Sequence, residues 1–288
     1  MTIKQILTSN IKIISPLDTG IILSFVLKKS KEFLYTYPEH ELTKTQEKKF
    51  QQLIKRRAKG EPVAYLIGEK EFYGRKFKVN KNVLIPRPET ELLVEETKKE
   101  IKKKRPSTSL RTRNKENIQI IADIGTGSGA IAVTLAKKVE NANSRIRAQI
   151  LATDSCARAL KVAKENAKTY SVLSKIKFYQ GNLLEPINNQ KIQILVANLP
   201  YLDPKWKTKS ISFEPSKALF TNEKGLKLYR LLLEQITANK FKPKIMLFEF
   251  DPRQKTDFKK LIKKLLPKAK VLFIKDLCNR DRVVKIIL

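Results

Sequence analysis

Ile118-Gln-Ile-Ile-Ala122-Asp123-Ile-Gly125-Thr-Gly127-Ser-Gly129-Ala130 starts as an apolar run and ends as a glycine turn, and Ile131-Ala-Val-Thr-Leu-Ala136 carries it on in helical pattern. A buried strand that turns through glycines straight into a helix is the opening of a βαβ unit, so the chain reads as α/β with a parallel sheet. The glycines permit the tight turn and let a ligand touch the main chain. Gly125, Gly127 and Ala130 also satisfy the dinucleotide-binding pattern. Asp123 separates the two ligand classes. A carboxylate at the strand end suits an ammonium group and repels a pyrophosphate, and no basic residue in the loop offsets it. The loop Gly125, Thr126, Gly127 and Gly129 is therefore read as a cradle for S-adenosylmethionine, with Asp123 on its ammonium.

The next strands end in the same way. Ala148-Gln-Ile-Leu-Ala-Thr153 runs into Asp154, whose carboxylate is placed to take both ribose hydroxyls. Lys175-Ile-Lys-Phe-Tyr-Gln180 runs into Gly181-Asn182, where Asn182 is placed to bond the adenine amine. Each of these residues alone could be a helix cap. Strand ends that repeat the device in register point to a methyltransferase.

A further buried strand, Lys191-Ile-Gln-Ile-Leu-Val-Ala197, ends at Asn198-Leu199-Pro200-Tyr201. Ligands of open α/β sheets bind at that edge. The Asn198 side-chain oxygen can accept one N–H of a planar group, and the Leu199 carbonyl can accept the other. Pro200 stiffens the turn, and the Tyr201 ring can lie against the flat face. Asn198 would also border the cofactor. The four residues select an NH2 on an sp2 centre, either a carboxamide or the exocyclic amine of a base. Asn and Pro are also common turn formers, so the tetrapeptide does not decide by itself.

The 288 residues hold 41% hydrophobic side chains, enough for one large or two small domains with a real core. No apolar run reaches the roughly 18 residues of a membrane span, and Met1-Thr-Ile-Lys-Gln-Ile lacks a secretory pattern. Cys156 and Cys278 lie far apart without ligand-like neighbours, and His40 is the only histidine. No disulfide framework, metal site or His-centred triad is expected, and a reducing cytoplasm fits. The net charge is +32, from 60 Lys and Arg against 28 Asp and Glu. Such an excess attracts polyanions. Lysine is spread along the whole chain, as a general lysine bias would also produce, so nucleic-acid binding stays open. A monomer is expected.

Residues 1–72 read as a small helical domain. Ser15-Pro16-Leu17-Asp18 is a helix start, and Thr43-Lys-Thr-Gln46 is a capping box opening a helix that Gly60 and Pro62 stop. Residues 73–97 form a connector. Lys76-Phe-Lys-Val79 alternates as a hairpin strand, and Pro86 and Pro88 hold the following segment extended ahead of a helix capped at Thr90. Arg87, Glu89 and Glu91 gather beside that rigid element, and Arg87 and Glu91 are assigned to substrate binding. Residues 98–117 are basic and low in complexity, a flexible linker rather than a polyanion-binding arm. Residues 118–288 form the catalytic domain.

Phe72-Tyr-Gly-Arg-Lys-Phe-Lys-Val79 followed by Leu84-Ile-Pro-Arg-Pro-Glu-Thr-Glu91 resembles the connector of the bacterial release factor glutamine N5-methyltransferases, the PrmC/HemK family. Phe213-Glu-Pro with Ala218-Leu, and Asp276-Leu-Cys-Asn-Arg280-Asp-Arg-Val283, extend the resemblance to about residues 60–288. It implies a Rossmann-like class I methyltransferase sheet of seven strands, the last antiparallel, with a small helical domain and hairpin connector ahead of it. It also implies methyl transfer to the side-chain nitrogen of the glutamine in the Gly-Gly-Gln loop of a translation release factor, which the helical domain and connector would grip. Two departures stand out. Leu199 replaces the first proline of the usual Asn-Pro-Pro-Tyr, and Phe250-Asp-Pro-Arg253 replaces an Ile-Gly pair after Glu249. Asn-Leu-Pro-Tyr also resembles rRNA adenine dimethyltransferases, so an adenine N6-methyltransferase acting on RNA or DNA is the alternative. A ribosomal-protein glutamine is a further target of the same chemistry. A basic binding protein without cofactor is a reading of a different class.

Overall fold

The computed structural model describes residues 1–9, 13–103, 119–141, 148–208, 211–240 and 242–288. Residues 104–117 of the expected linker fall outside these. The chain separates into two compact units, one of Met1–Glu69, Val79–Lys81 and Thr208–Phe213, the other of Lys70–Lys78, Asn82–Lys207 and Glu214–Leu288.

The first unit is helical. It holds α1 (Ile3–Ser9), α2 (Pro16–Leu27), α3 (Lys31–Thr36), α4 (Lys44–Ala58) and α5 (Val63–Ile67). The caps read from sequence are made. Ser15 Oγ accepts from the Asp18 N–H at 3.1 Å, and Thr43 and Gln46 exchange side-chain and main-chain bonds at 3.3 and 2.9 Å. Ile3, Ile22, Leu23, Leu34, Phe50 and Leu53 form its buried core. A half-buried ion pair at 2.8 Å joins Arg57 of α4 to Asp18 of α2.

The second unit is built on a seven-stranded sheet. Two short strands, β1 (Glu69–Phe72) and β2 (Arg75–Lys78), pair as the hairpin. Then come α6 (Glu91–Lys103), β3 (Gln119–Ile124), α7 (Ala130–Asn141), β4 (Ala148–Asp154), α8 (Ala157–Thr169), β5 (Ile176–Gln180) and β6 (Ile194–Ala197). The chain finishes with α9 (Ser216–Leu219), α10 (Lys227–Ala238), β7 (Ile245–Glu249), α11 (Lys255–Leu265), β8 (Lys270–Lys275) and β9 (Asp281–Ile287). The strand order is β5-β4-β3-β6-β7-β9-β8, with β9 antiparallel to both its neighbours. This is the expected sheet with its last strand reversed.

Alternation along each strand sorts the core into two faces. Ile121, Ile150, Ala152, Ile194, Val196 and Leu247 pack with Leu93 and Val94 of α6, with α7, and with Phe72 and Phe77 of the hairpin. Their neighbours Ala122, Leu151, Leu195, Ala197, Met246 and Phe248 pack with Tyr229, Leu232, Leu233 and Ile236 of α10 and with Phe258 and Ile262 of α11. Helix α6 runs to Lys103, past residue 98 where the linker was expected to begin. Glu95–Lys98 and Glu96–Lys99 ion pairs link successive turns of the helix, and Glu100 forms a buried pair with Lys285 of β9. Among the described residues no helix is long and apolar enough to cross a membrane.

Candidate active site

The strand order reverses at β3, which pairs with β4 on one side and β6 on the other. In an open α/β sheet that reversal opens a crevice beyond the strand ends, and there ligands bind. The register sets Ile124 beside Ala197 and Asp154 beside Gln180. Gly125, Asp154, Asn182 and Asn198 therefore follow from neighbouring strand ends.

Asp123 is fully buried. Its Oδ2 accepts from the Thr126 hydroxyl at 2.7 Å and from the Ala132 N–H at 3.2 Å. Among the described residues its Oδ1 has no hydrogen-bond partner. Burial raises its pKa from 3.8 to about 7, opposed by those two bonds and assisted by the nearby Asp154 charge. A buried carboxylate oxygen that lacks a donor is costly unless something cationic or protic meets it. The donor an ammonium group supplies fits Asp123.

The glycine loop beside it is shaped by close approach. Gly125 has φ of +74°, and a Cβ there would lie 2.9 Å from Leu199 Cδ2. Glycine thus brings the loop after β3 into contact with the tetrapeptide after β6. The N–H groups of Gly125 and Thr126 both donate to the Thr153 carbonyl at 2.9 Å. Asp154 is half-buried, and its carboxylate accepts from the Gly127 N–H at 2.9 Å and the Cys156 N–H at 2.8 Å. Burial raises its pKa, those bonds lower it, and burial is the larger effect. Asn182 is exposed, and its Nδ2 donates to Glu185 at 2.7 Å, which leaves its oxygen as the acceptor.

Asn198 is half-buried, and its Nδ2 donates to the Thr90 hydroxyl at 2.9 Å. The Thr90 hydroxyl turns its own proton to the Glu249 carboxylate, so it accepts from the amide NH2 and leaves the amide oxygen facing the other way. The buried Oδ1 has no hydrogen-bond partner among the described residues. The Leu199 N–H donates to the Tyr229 hydroxyl at 3.2 Å, and that hydroxyl donates to the Glu249 carbonyl. The Tyr201 hydroxyl donates to Glu249 Oε1 at 3.0 Å, and Gln254 Nε2 donates to the Tyr201 carbonyl at 2.7 Å and the Lys224 carbonyl at 2.6 Å. Gly225, at φ +83°, leaves room for this clamp, because a Cβ there would sit 1.9 Å from the Tyr201 carbonyl oxygen. Burial, then the Glu249 charge, raise the Tyr201 pKa well above its ordinary value, so the ring stays a neutral phenol. Glu249 is 1% exposed. Burial raises its pKa, and the Thr90 and Tyr201 hydroxyls and Arg282 pull it down.

The segment after Glu249 also has a structural account. The Arg253 guanidinium lies 3.6 Å above the Trp206 ring, and Asp251 grips it through two bonds of 2.7 Å. This fastens the turn that follows the tetrapeptide. Arg87 and Glu91 have partners of their own. Arg87 pairs with the buried Glu214, which also accepts from the Ile85 N–H at 3.1 Å, and Glu91 accepts from the Tyr73 N–H at 2.7 Å. Of the Arg87–Glu91 run, Thr90 is the residue with a bond to Asn198. Sequence reasoning took Thr90 as a helix cap and left Tyr229 and Gln254 out of the site. Glu249 was legible by the rule that found Asp123 and Asp154, a carboxylate at the end of a parallel strand.

Two family models match the chain, the PrmC N-terminal domain over residues 5–68 and the methyltransferase small domain over residues 107–215. The release factor glutamine methyltransferase of Bacillus cereus is 37% identical over 270 residues, 92% of this chain and 89% of that protein. The protein of the same name from Coxiella burnetii is 38% identical, over 76% of this chain and 73% of that one. Among solved structures, the hMettl16 catalytic domain in complex with a MAT2A 3′UTR hairpin aligns with a TM-score of 0.57 over 92% of this chain and 90% of that one, at 11% identity. A likeness at that identity speaks for the fold alone.

Proposed function

Since the chain belongs to the release factor glutamine methyltransferase family, we propose that it methylates the side-chain nitrogen of the glutamine in the Gly-Gly-Gln loop of a translation release factor. The observation that carries this is that two buried acceptors at the ends of adjacent strands, Asp123 Oδ1 at the end of β3 and Asn198 Oδ1 just after β6, have no hydrogen-bond partner among the described residues. The first suits the ammonium of S-adenosylmethionine, and the second suits an amide N–H. The main chain of Gly125 to Gly129 cradles the cofactor, Asp154 takes its ribose hydroxyls and Asn182 its adenine amine. When bound, the cofactor supplies an electrophilic methyl group on a sulfonium.

The protein's task is to make a poor nucleophile react. The amide lone pair is delocalised into its carbonyl, so its nitrogen attacks only when aimed. Asn198 Oδ1 and the Leu199 carbonyl accept the two N–H groups, and the neutral Tyr201 ring lies on the flat face. Fixing the reacting pair in line supplies several kcal/mol, on the order of 7 or more in favourable cases. The two acceptors bond more strongly as positive charge grows on the nitrogen. That charge makes the nitrogen acidic, so its proton leaves without a strong base. Thr90 holds the Asn198 amide so that its oxygen, not its NH2, meets the substrate. An exocyclic adenine amine offers the same pair of donors. Family membership, rather than the clamp, selects glutamine.

The test is a release factor incubated with labelled S-adenosylmethionine, in wild-type form and with its loop glutamine replaced. Fragmentation mass spectrometry then places the label. One methyl group on the glutamine side chain of the wild-type factor alone is expected. Equal labelling of both forms, or label elsewhere, overturns the proposal.

A further inference from the structure

We propose that Tyr229 is a positioning residue that gives Leu199 the rigidity a proline ring would give, by holding the Leu199 N–H to the Glu249 carbonyl through its hydroxyl. The inference rests on the function proposed above, in which the Leu199 carbonyl is one of the two amide acceptors. Leu199 stands between Asn198 and Pro200, so two torsions decide where its carbonyl points. Pro200 restricts the torsion on its carbonyl side, because a residue ahead of proline is driven to extended conformations. The torsion on its nitrogen side is free unless something holds that N–H. A proline at 199 would fix it covalently and would carry no N–H. With leucine the N–H exists, in a place where a lone donor is costly.

Tyr229 answers that need. It is 0% exposed, near the start of α10, and its ring is packed 5.4 Å from Phe248 and 4.8 Å from Phe258 between ring centres. The phenol has one proton, which it gives to the Glu249 carbonyl, so the Leu199 N–H meets a lone pair at 3.2 Å. Burial, then the Glu249 charge, raise the Tyr229 pKa well above its ordinary value, which keeps that proton in place. The Leu199 side chain meanwhile packs against Gly125 of the loop. The same Glu249 receives the Tyr201 hydroxyl on its side chain. One residue at the end of β7 thus anchors the tetrapeptide at two points.

Tyr229→Phe keeps the packed ring and removes only the relay. It is to be compared in two backgrounds, the natural Leu199 and Leu199→Pro, by release factor methylation kinetics and thermal unfolding. In the natural background kcat falls about tenfold, the worth of one buried hydrogen bond, with KM for cofactor and release factor within about twofold. In the Leu199→Pro background, where no N–H needs holding, Tyr229→Phe leaves kcat unchanged within about twofold. Leu199→Pro itself folds and turns over, since the relay holds the backbone as a proline would. The same loss in both backgrounds overturns the inference, as does no loss in either. A Leu199→Pro chain that does not fold overturns it too. Failure of the underlying function looks different, because the wild-type chain then leaves the glutamine unmethylated.

Discussion

The Asp123 carboxylate gives a quantitative handle on cofactor binding. Only its ionised form attracts an ammonium group. With a pKa near 7, about nine in ten molecules are ionised at pH 8 and about one in ten at pH 6, from the titration equilibrium. The affinity for S-adenosylmethionine should therefore weaken about eight- to tenfold between those values. The unbound protein should respond in the opposite sense. Asp123 titrates near 3.8 when unfolded and near 7 when folded. The folded chain therefore holds a proton that the unfolded chain has lost. Its contribution to stability is fully present below about pH 4 and disappears as pH rises through 7. Asp123→Asn keeps the shape and removes the titration. Losing a charge-assisted bond of about 1.5–3 kcal/mol should weaken binding by roughly ten- to a hundredfold. Calorimetric titration of both proteins at pH 6, 7 and 8 measures this. The ligand's own titration appears in both, so the difference in slope belongs to Asp123. A wild-type affinity that is flat across the range, or a variant with the same slope, would refute the reasoning.

The remaining predictions concern the scaffold. Thr90→Val frees the Asn198 amide to turn over, which should lower kcat about tenfold and leave cofactor affinity unchanged; a calorimetric loss of cofactor binding would contradict it. Arg253→Ala removes the stack over Trp206, the only tryptophan, so the intrinsic emission should change while thermal stability drops by no more than about 1 kcal/mol. Unchanged emission would contradict the contact. Lys285→Met takes the ammonium away from the buried Glu100 carboxylate and should cost about 3–5 kcal/mol in denaturant unfolding, a loss that Glu100→Leu in the same chain should largely restore. A double variant as unstable as the single one would count against it. Gly225→Ala should nearly abolish turnover, because the added carbon meets the Tyr201 carbonyl; activity within twofold of wild type would show that the clamp yields.

The fold was legible because strand ends repeat a signal. Asp123, Asp154 and Asn182 each close an apolar run, and the register confirms that those runs are neighbours. Asn198 was legible for the same reason. What sets its orientation was not. Thr90 reaches it across 108 residues of sequence, and no local pattern marks a hydroxyl for a partner so distant. Tyr229 and Gln254 were hidden likewise, one in the apolar stripe of a helix and the other at a helix start, where Gln is unremarkable. Arg87 and Glu91 illustrate the converse. A cluster of charges beside two prolines invites a binding role, and the folded chain adds partners that the sequence did not show, Glu214 for Arg87 and the Tyr73 N–H for Glu91.

The most direct measurement is a crystal structure with S-adenosylhomocysteine and free glutamine bound together. The account predicts the glutamine side-chain nitrogen within about 2.7–3.2 Å of both Asn198 Oδ1 and the Leu199 carbonyl, its lone pair facing the cofactor sulfur. A glutamine whose side-chain nitrogen bonds neither oxygen, or that faces away from the sulfur, would contradict it.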